Sequence, residues 1–216
     1  MQIKLKSRPD LLLLLSLLLA IVLTPVLDRD DWRRLVLAGV TFIPVILSTV
    51  RLSQIKSWVW PAVLLMLLNT AFVVAGNTFA SSALNGIRWV SLAAFFALAA
   101  VGLFSYLRSS RIITAAHLYT AVNIYLLLGL LWTALYLALD SFHPGSIQLG
   151  SQPAERDTDL LYFSLITLST IGYGDIVPLT GGARILAALE GMTGVLYIAI
   201  TVALLVGRFR AEPSDP

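Results

Sequence analysis

Six apolar runs decide what this chain can fold into: 10–27, about 33–50, 58–76, 87–107, about 112–139 and 184–207. Each comes close to the roughly 20 residues with which an α-helix crosses a hydrocarbon core. Apolar residues make up 58% of the 216 and charged residues only 12%, about half the charge of a soluble domain. A chain so composed must cover most of its surface with lipid. The net charge of +3 would suggest nucleic acid in a soluble protein. Here the basic residues flank apolar runs and read as topology signals instead, so no nucleic-acid partner is expected. Cysteine is absent, which excludes disulfides and thiolate metal sites.

The first run follows Lys4, Lys6 and Arg8 and is Leu-rich, like a signal peptide. Thr24-Pro25-Val26 lacks a small-x-small cleavage pattern, so an uncleaved span is expected. Pro44 in the second run is tolerable where neighbouring groups satisfy the carbonyl it frees. Trp58 and Trp60 open the third run and suit a membrane interface. A polar stretch, 140–158, separates the fifth and sixth runs and leads into a short apolar run, 159–170. That run cannot span a bilayer. It fits a re-entrant helix, which is stable at membrane depth only when buried in protein or lining water. With six crossings and the N-terminus inside, nine of the 15 Lys and Arg residues fall inside, in agreement with the positive-inside rule. Both termini are then cytoplasmic, and the stretch after residue 167 lies at the outer side.

That stretch reads Thr-Leu-Ser-Thr-Ile-Gly-Tyr-Gly-Asp, residues 167–175. Carrying a cation through hydrocarbon means replacing its water shell with other oxygens. A row of backbone carbonyls can do this if successive carbonyls face one side. Positive φ angles are then needed, which glycine supplies and L-residues resist. Gly172 and Gly174 sit where the backbone must leave the strand conformation. Ile171 and Tyr173 are expected to point away from the ion and brace the loop, and Thr170 adds both a carbonyl and a hydroxyl at the inner end. Gly-Tyr-Gly alone would fit an ordinary glycine-rich turn. The full pattern, with a half-helix before it and a span after it, argues for an ion site at Thr170, Ile171, Gly172 and Tyr173.

Over residues 112–210 the chain resembles the potassium channel family, whose filters are built of such carbonyls. By that resemblance Thr170, Ile171, Gly172, Tyr173 and Gly174 match the selectivity filter. Tyr162 and Phe163 match the aromatics that form a cuff around the filter tyrosine, and Asp175 matches the outer aspartate. Thr167 and Ser169 complete the support of the filter. Gly194, with Gly191 beside it, matches the hinge of the inner helix. The competing account is that both glycines only let that helix pass close to the pore helix. Some family members pair the outer aspartate with a glutamate of the pore helix. Ile166 stands there in this chain, so Asp175 needs another partner, or solvent.

The resemblance implies an all-α membrane protein of six spans. One re-entrant pore helix and its filter lie between the fifth and sixth, and the chain assembles as a homotetramer in the lipid bilayer of a bacterial-type plasma membrane. Near Ser169 the pore helix would aim a partial negative charge, roughly half an electron, at the membrane centre. The implied activity is passive, selective conduction of K+, with no enzyme chemistry and no cofactor, K+ being the permeant species. A nonselective cation channel would carry an altered filter. A potassium-uptake transporter subunit would need four pore repeats in one chain, and one complete repeat is present.

Residues 1–110 are expected to form a four-span bundle and residues 111–216 the pore domain. A voltage sensor needs several arginines within one helix. The run 87–107 has Arg88 and Arg108 only at its ends, and its Ala93, Ala97 and Ala100 suit close helix packing instead. Nine residues follow Gly207, so no cytoplasmic gating domain is expected there.

A few polar residues interrupt the apolar runs. Glu190 lies within the last one, where acids are costly and usually functional. It is expected behind the filter, bonded to the pore helix or to a neighbouring subunit. Asn69 and Asn123 are expected to make helix-to-helix hydrogen bonds. His117 and His143 are too far apart to form a metal site, and each is expected as an ordinary polar side chain, with pH sensing by His143 the lesser reading. Asp140, Glu155, Asp157 and Asp159 are expected as an acidic rim that either concentrates cations at the mouth or is simply solvated.

Overall fold

The computed structural model describes residues 9–27, 43, 45, 59–79, 81–110, 113–149 and 156–208. In chain order these form α1 (Pro9–Leu27), α2 (Val59–Phe79), α3 (Ser82–Ser109), α4 (Ala115–Phe142), β1 (Ile147–Gln148), α5 (Arg156–Leu168), β2 (Val177–Pro178) and α6 (Gly181–Arg208). The helices follow the apolar runs because a backbone without water must satisfy its N–H and C=O groups within its own segment. Ser82–Ser109, Ala116–Phe142 and Gly181–Gly207 are long and apolar enough to cross a membrane, and Asp10–Pro25 and Trp60–Phe72 are shorter apolar helices. The second predicted run, 33–50, lies outside the described residues apart from Ile43 and Val45, both helical.

Local chemistry sets the helix starts. Ser81 caps α3 by accepting the Leu84 N–H. Ahead of α4, the Thr114 backbone N–H donates to His117 Nδ1 at 3.1 Å. That nitrogen must therefore be the acceptor, which leaves Nε2–H to donate to Ser110 Oγ at 2.6 Å. His117 thus closes the turn into α4.

Side by side, α3 and α4 form the main packed pair; α2 lies against α3, and α1 against α4. Lipid tails are as apolar as leucine, so close packing and hydrogen bonds hold such helices together. Ala93 and Ala100 are buried, with Phe95, Leu103 and Leu127 filling the space beside them. At Gly86 any Cβ would strike the Phe142 ring, so this glycine admits the end of α4. Asn69 Nδ2 donates to the Arg88 carbonyl at 3.3 Å, tying α2 to α3. Asn123 Nδ2 donates to the Asp10 carbonyl at 2.8 Å, tying α4 to α1. Trp60, entering α2, is 78% exposed.

One feature departs from the expected all-α fold. β1 and β2 pair antiparallel, Ile147 with Pro178 and Gln148 with Val177. The Leu179 N–H extends the contact to the Ser146 carbonyl at 2.9 Å. This clasp joins the loop before α5 to the segment after the glycine motif.

Candidate functional site

At 13 residues, α5 is about 20 Å long, too short to cross a core of about 30 Å. It begins one turn earlier than predicted. Arg156 bonds Asp140 at the end of α4, Nη2 to Oδ2 at 2.5 Å, and Asp157 and Asp159 place negative charge in the first turn, where the helix dipole favours it. Asp140 also accepts the Gly145 N–H at 3.1 Å and is buried. The predicted acidic rim therefore loses this member: Asp140 is a neutralised anchor inside the protein, because Arg156 folds back onto it. Asp157 and Asp159 are half-buried, and Glu155 lies outside the described residues.

The far end of α5 runs into the glycine motif, and the motif bonds back onto the helix. The N–H of Thr170 donates to the Thr167 carbonyl at 3.0 Å. Those of Ile171 and Gly172 both donate to the Ile166 carbonyl, at 2.8 and 3.2 Å. Ser169 returns its hydroxyl to the Leu165 carbonyl at 2.7 Å. The last carbonyls of the helix are thereby satisfied, and the entry of the loop is fixed.

From there the backbone alternates. Thr170, Gly172 and Gly174 have φ of 60°, 53° and 80°, while Ile171 and Tyr173 stay outside the left-handed region. A strand points successive carbonyls to opposite sides; reversing the hand at every second residue brings them to one side. Glycine adopts such angles freely. Thr170 does so at a cost of about 1–3 kcal/mol, which its flanking bonds to α5 offset. Ile171 and Tyr173 are 55% and 71% exposed within one chain.

The two expected cuff aromatics separate, since neighbours on a helix face directions about 100° apart. The Tyr162 hydroxyl donates to Asp175 Oδ2 at 2.8 Å. Asp175 has thus found the partner that Ile166 cannot be, and its carboxylate holds the Tyr162 phenol above its ordinary range. Phe163 turns the other way. It is buried edge-on against Tyr136, ring centroids 5.0 Å apart. Its own chain already covers it, in a cluster with Leu168 and Ile176.

Behind α5, Glu190 of α6 is fully buried. Its Oε2 accepts from the Tyr136 hydroxyl of α4, and its Oε1 contacts Ser164 Oγ of α5, both at 2.6 Å. Sequence reasoning singled out Glu190 but neither partner. It also missed Gly129, whose carbonyl lies 2.8 Å from Ser164 Oγ. A Cβ on Gly129 would come within 2.8 Å of the Leu165 side chain, so the glycine lets α5 seat against α4.

The helix α6 runs unbroken through Gly191 and Gly194. Gly194 lies against the Leu168 carbonyl at the end of α5, where no Cβ would fit, whereas Gly191 has room for one. Among the described residues, no group of three or more His, Cys, Asp or Glu could hold a metal ion.

Comparison with known proteins places this geometry. Residues 124–211 match the family described as Ion channel. The inward rectifier potassium channel Kirbac3.1 of Paramagnetospirillum magnetotacticum is 33% identical over 91 residues, 40% of this chain and 28% of that protein. Potassium voltage-gated channel subfamily A member 2 of Xenopus laevis is 34% identical over 88 residues, 38% of this chain and 17% of that protein. Two pore potassium channel b of Oryza sativa subsp. japonica is 35% identical over 91 residues, 42% and 21% of the two chains. The chain thus spans under a third of the length of these relatives, which are channels and not enzymes. No solved structure matches it. Over the segment that carries α5, the glycine motif and α6, this integral membrane protein is similar to potassium channels.

Proposed function

We propose that the chain is one subunit of a homotetrameric channel that conducts K+ passively and selectively. The carbonyls of Thr170, Ile171, Gly172 and Tyr173 form the ion sites, and Gly174 closes the filter. The observation that carries this reading is the alternation of backbone hand from Thr170 to Gly174 on a loop pinned to the end of α5. Such a loop can replace the water shell of K+ with inward carbonyls. One chain contributes one row, and a cage needs four. Supporting the tetramer, Ile171 and Tyr173 are exposed, as are Ile185, Leu189, Met192, Val195 and Val206 along α6. Apolar surface of that extent calls for lipid or another copy of the chain.

In the same reading, residues 1–110 form a four-span bundle and residues 111–216 the pore domain. The chain then crosses a bacterial-type plasma membrane six times, with both termini cytoplasmic and the β1–β2 clasp outside. Tyr162, Thr167, Ser169 and Asp175 support the filter. Bending of the inner helix at Gly191 and Gly194 accompanies opening. The test is the reversal potential of the purified full chain in a planar bilayer under a potassium/sodium gradient. A value near the potassium equilibrium potential is expected; equal permeability to the two ions would overturn the proposal.

A further inference from the structure

Three oxygen–oxygen contacts meet behind α5, and the hydroxyls there bring only two protons. Tyr136 Oη lies 2.6 Å from Glu190 Oε2, Ser164 Oγ lies 2.6 Å from Glu190 Oε1, and Ser164 Oγ also lies 2.8 Å from the Gly129 carbonyl oxygen. Each contact at such a distance needs a proton between its oxygens. Tyr136 spends its own on Oε2. Ser164 has one proton and two neighbours, the Gly129 carbonyl and Glu190 Oε1. If Glu190 were ionised both could only accept, and one contact would set lone pair against lone pair.

The third proton has one place to sit, which is Glu190 itself. A neutral Glu190 donates from Oε1 to Ser164, and Ser164 passes its own proton to Gly129. The surroundings agree. Glu190 is fully buried, and the side chains that bond it are the two hydroxyls, with no basic group of the described residues among them. Tyr136 and Tyr125 of α4 are the titratable groups whose charge would act on it; α5 faces it with Ser164, which does not titrate. An unpaired buried anion takes up a proton instead of staying charged.

We propose that Glu190 is carried as the protonated acid, and that the chain of bonds from Glu190 through Ser164 to the Gly129 carbonyl clamps the pore helix between α4 and α6. Glu190 is a positioning residue: it touches no ion and acts through α5 on the loop that α5 holds. The effect on conduction rests on the channel reading above; the protonation state does not.

The substitution Glu190→Gln reproduces the neutral acid, its carbonyl accepting from Tyr136 and its amide donating to Ser164. Infrared difference spectra of the reconstituted full chain near neutral pH, wild type minus Glu190→Gln, are expected to show the carbonyl band of a protonated carboxyl group. Absence of that band overturns the proposal, whether or not the protein conducts. In planar bilayers Glu190→Gln is expected to keep the wild-type potassium/sodium permeability ratio, while Ser164→Ala, which breaks the chain in the middle, lowers it. A selective wild type combined with a nonselective Glu190→Gln would overturn the proposal, as would an unaltered ratio in Ser164→Ala. A wild type that passes no potassium would overturn the channel reading alone, with the infrared band still deciding where the proton sits.

Discussion

Gly194 is set against the carbonyl of Leu168, so that an added Cβ would overlap that oxygen and approach the carbonyl carbon to 2.9 Å. Three residues earlier, Gly191 has nothing nearer than the Thr167 carbonyl oxygen at 3.8 Å. The two glycines share a helix and differ in the space around them. Backbone cannot yield as a side-chain tip does, so Gly194→Ala should push α6 away from α5 and destabilise the protein by about 1–3 kcal/mol. Gly191→Ala should fit and favour the helix by about 1 kcal/mol. Thermal melting of the detergent-purified variants checks both. Gly191→Ala then isolates stiffness from packing: if α6 bends here on opening, its open probability falls while its melting temperature does not.

The glycines of the motif present the opposite situation. Gly172 and Gly174 have nothing within 4 Å of an added Cβ in one chain, yet both have positive φ. Gly174→Ala therefore meets a conformational cost of about 1–2 kcal/mol and no collision within the subunit. We expect normal expression and insertion with loss of selectivity. A potassium/sodium permeability ratio equal to that of the wild type would show that the carbonyl row does not depend on this angle.

The bond from Tyr162 to Asp175 should make the outer end of the loop sensitive to alkaline pH. Asp175 raises the phenol pKa, so the stabilisation is fully present below the ordinary phenol range and is lost as pH rises through the raised value. Tyr162→Phe lacks the bond at every pH. The expected outcome is faster decay of current in the variant than in the wild type at neutral pH, with the two converging under strongly alkaline external solution. A variant that decays like the wild type at neutral pH would rule the bond out as a filter support.

Voltage should matter little. Between Arg88 and Arg108 the α3 helix carries no basic residue, and each charge moved across the membrane contributes about 2.3 kcal/mol per 100 mV. A shallow conductance–voltage relation is expected from tail currents. A steep one, requiring several charges per subunit, would place a sensor elsewhere in the chain.

The helices were legible because lipid removes the alternatives, and a run of apolar residues at span length has little else to become. The glycine motif was legible because its chemistry is local and lies in consecutive residues. Thr170 was not read as left-handed, since sequence reasoning reserves that region for glycine; only its own bond to Thr167 and those of Ile171 and Gly172 to Ile166 explain why a threonine occupies it. Glu190 stood out as an acid in an apolar run. Its partners Tyr136 and Ser164 could not be read, because hydroxyls are scattered through every helix and the register of three helices decides which of them meet. Asp140 was misread for the same reason, its cation lying 16 residues on and brought back by the fold. The β1–β2 clasp uses two residues a side, too few to show an alternation.

The Arg156–Asp140 pair and the Ser164 contacts fasten both the start and the middle of α5 to its own chain. The chain can therefore seat α5 while still alone. Copies would then meet with finished surfaces, and association would not have to supply the ordering of α5 as well. It follows that a chain crippled only in its filter remains fit to assemble. Co-expressed with the wild type, Gly174→Ala chains would enter mixed tetramers and silence the current more steeply than their share of the total.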